Sequence, residues 1–254
     1  KIRTSNRVDE NDIRKPLLPI DPAGYAEDWD MLIEVIEKSY PLSDGSGRMM
    51  PIKITGCDSG GMDGVTPNAV RFWLKLQKDE AGHHRRFHLV KGDKVREGMW
   101  LRQASFYEGK GNASMSFFAG KVPFQRLNSN ALKDRLNLVL MRDEPGGARL
   151  RFPAFLPDWF YKQMCAEERT AGKGWEPPKA SRRNEAWDLS YYSIAMCVHP
   201  DINLDRIRWE EPEKVPSWAK PWDQNDFIIQ PDKKQSYVTK REVGDLQKVA
   251  AQFL

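Results

Sequence analysis

Three segments carry side chains whose types and spacing fit work on a phosphate ester. Ile52-Lys53-Ile54-Thr55-Gly56-Cys57-Asp58 reads as a strand that ends on a carboxylate and runs into Ser59-Gly60-Gly61. Arg86-Phe87-His88-Leu89-Val90 reads as a second strand and stops at Lys91-Gly92. The third segment is Arg182-Arg183-Asn184-Glu185-Ala186-Trp187-Asp188, at a helix start. Ligands of open α/β sheets bind at the carboxyl ends of strands, so Asp58 and Lys91 are expected at one edge. The glycines after Asp58 leave room for a backbone or a ligand to come close. Glu185 and Asp188 are three apart and share a helix face, where their like charges repel unless a cation lies near. A divalent ion supplies one, and hard oxygen donors suit Mg2+ or Mn2+ rather than Zn2+. Two such ions about 3.5–4 Å apart clamp a scissile phosphate. Arg182 and Arg183 oppose the helix dipole and need an anionic partner, either Glu185 or a phosphate.

Each feature also has a plain structural reading. An Asp before Gly-Gly is a common turn, and acids are favoured in the first turn of any helix. Lys91 also reads as a solvated strand end. His83, His84, His88 and His199 show no metal-ligand spacing and read as surface or loop residues, whereas Trp29, Trp73 and Trp187 fall at helical core positions. Gly109-Lys110-Gly111-Asn112-Ala113-Ser114 lacks the phosphate-loop spacing, so no ATPase motor is expected here.

The elements that must position these groups follow from pattern. Trp29, Leu32, Ile33, Ile36 and Tyr40 recur at helical spacing before Pro41. Thr66-Pro67 opens a helix with Thr as its cap, and Val70, Trp73 and Leu74 continue it, so residues 52–90 read as strand, helix, strand, the βαβ unit of an α/β sheet. Residues 93–126 read as a long basic surface excursion. Ser129 caps a helix, Arg149 to Phe152 forms a short strand, Pro157 starts a helix, and Asn184 to about Val198 is a strong one. Past Pro200, prolines alternate with Trp209, Trp218 and Trp222, which predicts an extended tail with a short helix near Val243 to Phe253. The expected division is therefore 1–199 and 200–254.

The chain of 254 residues, 40% hydrophobic, can bury one core plus a smaller appendage. A net charge of +4 permits a polyanionic partner without requiring one. Three scattered cysteines indicate neither a zinc ribbon nor a disulfide framework, and a reducing compartment fits best. No apolar run approaches the roughly 20 residues that span a bilayer, so a cytosolic protein is expected.

Taken together, CDSGG at Cys57 to Gly61, LVKG at Leu89 to Gly92 and RRNEAWDLSYYSIA at Arg182 to Ala195 resemble the nuclease domain of the tailed-phage terminase large subunit, the lambda-type GpA family. The likeness begins at the EDWDML stretch, Glu27 to Leu32, and runs through the last strong helix. It implies an RNase H-like mixed sheet flanked by helices that cuts concatemeric viral DNA in the bacterial cytoplasm. Two Mg2+ or Mn2+ ions would be held by Asp58, Glu185 and Asp188, with Lys91 near the scissile phosphate. Arg182, Arg183, Lys94 and Arg96 would join Lys91 on double-stranded DNA, and the terminase small subunit and the portal or procapsid would be partners. The family also carries an acid on its first sheet strand, in a Val-Asp-Val-Gln-like context, that has no counterpart here. That strand and the ATPase half are expected upstream of Lys1. Two other readings stay open: a non-catalytic fragment that docks on DNA or portal, and another RNase H-like enzyme such as a resolvase or transposase.

Overall fold

The computed structural model describes residues 4–8, 17–93, 98–105, 121–143, 150–178 and 183–231. In chain order the elements are β1 (Thr4–Val8), β2 (Leu17–Pro19), α1 (Leu32–Glu37), β3 (Ser39–Pro41), β4 (Met49–Pro51), β5 (Thr55–Asp58), α2 (Val65–Lys78), β6 (Phe87–Asp93), β7 (Leu101–Ser105), β8 (Pro123–Asn128), α3 (Ser129–Leu140), α4 (Asp158–Met164), β9 (Glu168–Thr170), β10 (Gly174–Glu176) and α5 (Glu185–Cys197). The chain divides into two compact units: Lys1–Ile33 with Ile54–Asp205, and Glu34–Lys53 with the residues from Arg206 onward.

The first unit is built on a mixed sheet ordered β5-β6-β8-β7. β5, β6 and β8 run parallel, and β7 closes the edge antiparallel to β8. Such a mixed sheet flanked by helices is compatible with the RNase H-like nuclease fold. Phe87, His88, Leu89 and Val90 are all buried, because strand β6 is covered on both faces. Alternation sends Phe87 to one side, where its ring meets Phe72 of α2 edge-on at 5.3 Å. Val90 goes to the other side and joins Leu127, Leu132 and Leu136 with Trp187, Tyr191, Tyr192 and Ala195 of α5. Gly92 lets α5 settle there: a Cβ on it would lie 2.8 Å from the Tyr191 hydroxyl and 2.7 Å from Ser129 Oγ.

The βαβ reading of residues 52–90 holds, with changed details. α2 is capped by Gly64 rather than Thr66, whose hydroxyl instead donates to the Ser59 carbonyl at 2.6 Å. α3 is capped one residue earlier than expected: Asn128 Oδ1 accepts from the Ala131 N–H at 3.1 Å, and Ser129 is the first helical residue. The helix expected from Trp29 to Tyr40 is instead a 3-10 turn, Ala26–Trp29, then the short α1, and Tyr40 lies in β3. The basic excursion contains two sheet strands, β7 and β8. Residues 168–176 form the β9-β10 hairpin, and residues 150–152 form no strand.

The histidines also differ from expectation. His83, His88 and His199 are buried. Burial first, and the neighbouring His199 second, hold His88 down to about 4, and burial lowers His199 as well. Both rings are therefore neutral at neutral pH.

The second unit contains the hairpin of β3 and β4. Met49 and Ile229 exchange backbone hydrogen bonds at 3.0 and 2.9 Å, and Arg48 bonds Asp223 at 2.8 Å. Lys53 stands 4.9 Å above the Phe227 ring. Residues 206–231 thus bond with Glu34–Lys53 and carry 3-10 turns at Ser217–Ala219 and Trp222–Gln224. The helix expected near Val243 lies outside the described residues.

Candidate functional site

Asp58 closes β5 at the carboxyl edge of the sheet, paired with Val90 in register. Its Oδ1 accepts from the Gly60 N–H at 2.8 Å, and its Oδ2 accepts from the Tyr192 hydroxyl at 2.9 Å. Gly61, at φ 114°, carries the chain away from the acid through a conformation that side chains resist. The DSGG motif therefore builds a turn that fixes the carboxylate. Burial, then Tyr191 and Asp58, raise the Tyr192 hydroxyl well above the usual phenol range, so it stays a donor.

Asp188 lies four residues before Tyr192 on α5, so the two side chains share one side of the helix, about 6 Å apart along its axis. Its Oδ1 is 2.8 Å from the Lys133 ammonium and its Oδ2 accepts from Asn184 at 3.1 Å. Lys133 is buried on α3 and also bonds both oxygens of Glu167, at 2.9 and 2.8 Å. Asn184 occupies the cap position of α5 but makes no capping bond; its amide donates to Glu167 at 2.6 Å as well. The Asp188 carboxyl is pushed upward, chiefly by burial, with the charges of Glu167 and Asp58 adding to that and Lys133 opposing it. Asp58 and Asp188 are thus close enough to feel one another's charge.

Glu185 stands exposed on the first turn of α5, with no hydrogen-bond or ion-pair partner among the described residues. Its three-residue offset keeps it on the Asp188 side of the helix. Lys91 sits at the same sheet edge, but alternation turns it away from Val90 and Asp58, toward the face that α2 covers. Arg183 is exposed and lines a cleft of about 520 Å3 with Trp159, Lys162, Gln163 and Cys165. Arg182, Lys94 and Arg96 lie outside the described residues. The sequence reading missed Lys133, Glu167, Asn184 and Tyr192. A lysine amid Leu132 and Leu136 reads as solvated, and only its acidic partners, distant in sequence, explain its burial.

The donors at this corner are all oxygen, and the negative charge on Asp58, Glu167 and Asp188 outweighs that of Lys133. That chemistry fits a hard dication. A mixed α/β sheet flanked by helices, with Asp58 at its carboxyl edge, is compatible with a nuclease domain. Residues 4–209 match the family described as terminase large subunit gpA, endonuclease domain, and the chain belongs to that family. No curated protein and no solved structure matches the chain. Among the described residues no helix is long and apolar enough to cross a membrane.

Proposed function

We propose that this terminase endonuclease domain cuts concatemeric phage DNA during genome packaging by metal-dependent phosphodiester hydrolysis, in the host cytoplasm. The observation that carries the reading is the bond from Tyr192 of α5 to Asp58, with Asp188 one helical turn before Tyr192 on the same side of the helix. These two acids, with Glu185 beside them, are the residues that would hold Mg2+ or Mn2+, as a pair of ions. Bound there, the metal would activate water and neutralise the leaving oxygen. Tyr192 and the Gly60 N–H orient Asp58, leaving its remaining lone pairs for the ligand. Lys133 sets the position of Asp188 and limits the repulsion among the acids. Glu167, which already accepts three bonds from Lys133 and Asn184, supports the pocket without being a ligand. This arrangement gives Lys133, rather than Lys91, the cationic place inside the pocket.

Arg183, Lys162 and Trp159 offer a path for the DNA backbone, two cations with an aromatic face between phosphates. Contacts of that kind carry no sequence information, so site choice would come from the terminase small subunit, with the portal or procapsid as the other partner. Plasmid nicking in Mg2+ or Mn2+ tests the reading. Asp58→Asn and Asp188→Asn are each expected to abolish nicking while leaving the circular dichroism unchanged. Undiminished nicking by either variant would refute the assignment.

A further inference from the structure

We propose that His88, His199 and Asp201 form a second metal site, for one transition-metal dication of the Zn2+ type, separate from the acid corner and structural in role. One ligand atom from each residue lies within 4.8 Å of the other two. His88 Nε2 is 3.8 Å, and His199 Nδ1 3.5 Å, from Asp201 Oδ2. The two imidazole rings stand 4.1 Å apart between centroids.

His88 is 8% exposed, and its buried Nε2 has no hydrogen-bond partner. An unsatisfied buried nitrogen costs about 1–3 kcal/mol, which a metal bond would offset. His199 Nδ1 accepts only a long hydrogen bond, 3.3 Å, from the Asp201 N–H, so its lone pair already points to the Asp201 side. In a tetrahedral site with bonds near 2.0–2.1 Å, ligand atoms sit about 3.3 Å apart. The two distances to Asp201, 3.8 and 3.5 Å, are slightly longer than that and can be shortened by its side chain, which is 59% exposed, while the two imidazole nitrogens lie within 4.8 Å of each other and would draw together on the ion.

Two imidazoles and one carboxylate favour Zn2+ and its neighbours over Mg2+, and leave a fourth position for water. The place in the fold is also distinct. His88 lies near the start of β6 and His199 just past the end of α5, whereas Asp58 ends β5 and Asp188 lies in the first turn of α5. Nine residues of helix beyond Asp188, about 14 Å along the axis, and then the turn after α5 separate it from His199. An ion held there would tie the turn after α5 to the central strand β6, and so hold the far end of the helix whose first turn bears the acids.

The test uses the full chain, stripped with a chelator and then freed of it. Zn2+ titrated against a colorimetric chelator should show one saturable equivalent per chain in the presence of excess Mg2+, and a raised melting temperature. Co2+ in its place should give the visible absorption of a four-coordinate ion. Asp58→Asn should keep this uptake. His199→Gln and Asp201→Ala should each weaken it at least about tenfold. Asp201 is exposed, so its variant keeps the fold and its loss of uptake reads directly on the site. Absence of saturable Zn2+ uptake by the native chain, or uptake unchanged in Asp201→Ala, overturns the proposal.

Discussion

The Tyr192 hydroxyl donates to Asp58 Oδ2 at 2.9 Å, joining residues 134 positions apart in the chain. This bond ties the sheet edge to α5 and, with the Gly60 N–H on Oδ1, fixes the orientation of the Asp58 carboxylate. Tyr192→Phe removes the donor and keeps the ring packed on Tyr191. Nicking is expected to fall about tenfold, the size of one hydrogen bond to a charged group, with little change in melting temperature. Nicking kinetics alongside a thermal melt separate this from a folding defect.

Lys133 is the buried partner of both Glu167 and Asp188. Lys133→Met strands two carboxylates and is expected to cost about 3–5 kcal/mol in urea unfolding, because an uncompensated buried charge is worse than no pair at all. Adding Glu167→Gln should recover part of that loss. A double variant no more stable than Lys133→Met would show that Glu167 does not depend on the lysine.

Arg183 and Lys162 flank the cleft beside Trp159. If both meet phosphates, their joint replacement by Ala lowers the slope of log affinity against log salt by about 1.8 on duplex DNA. The weakening should be the same for unrelated sequences. Fluorescence anisotropy at several salt concentrations measures both quantities.

In the second unit, Asp44 is held down at about 2 by the hydroxyl and N–H of Ser46 first, and by Arg48 after them. A carboxyl depressed in the folded state contributes stability that is full above its unfolded value and is lost as pH falls through the folded one. Asp44→Asn should therefore lower the urea midpoint at pH 6, and the gap to the native chain should narrow between pH 4 and pH 2. Tryptophan fluorescence from Trp218 and Trp222 reports on this unit.

Elements with local punctuation were legible in the sequence. β5 ends on DSGG, α2 starts near Thr66-Pro67, and α5 follows a polar run and shows apolar spacing. β8 was not legible, because Gln125, Arg126 and Asn128 break its apolar pattern, and Gln125 and Asn128 are buried only through their place in the sheet. β7 was missed for a like reason: Arg102 and Gln103 lie on an edge strand, where polar side chains carry no penalty. The candidate site was half legible. Strand and helix ends pointed to Asp58 and Asp188 as candidates, whereas Lys133 and Glu167 acquire meaning only as a pair, and the pleat that turns Lys91 to the other face of the sheet becomes visible only with the register. The buried histidines were invisible, since their proximity arises from β6 meeting the turn after α5.

The order β5-β6-β8-β7 has a consequence for biosynthesis. As the chain leaves the ribosome, β7 emerges before β8, yet β6 can accept only β8 as its second neighbour. Until β8 has emerged, the Leu89-Val90 edge of β6 lacks its partner strand, the kind of exposed apolar edge that favours association between nascent chains.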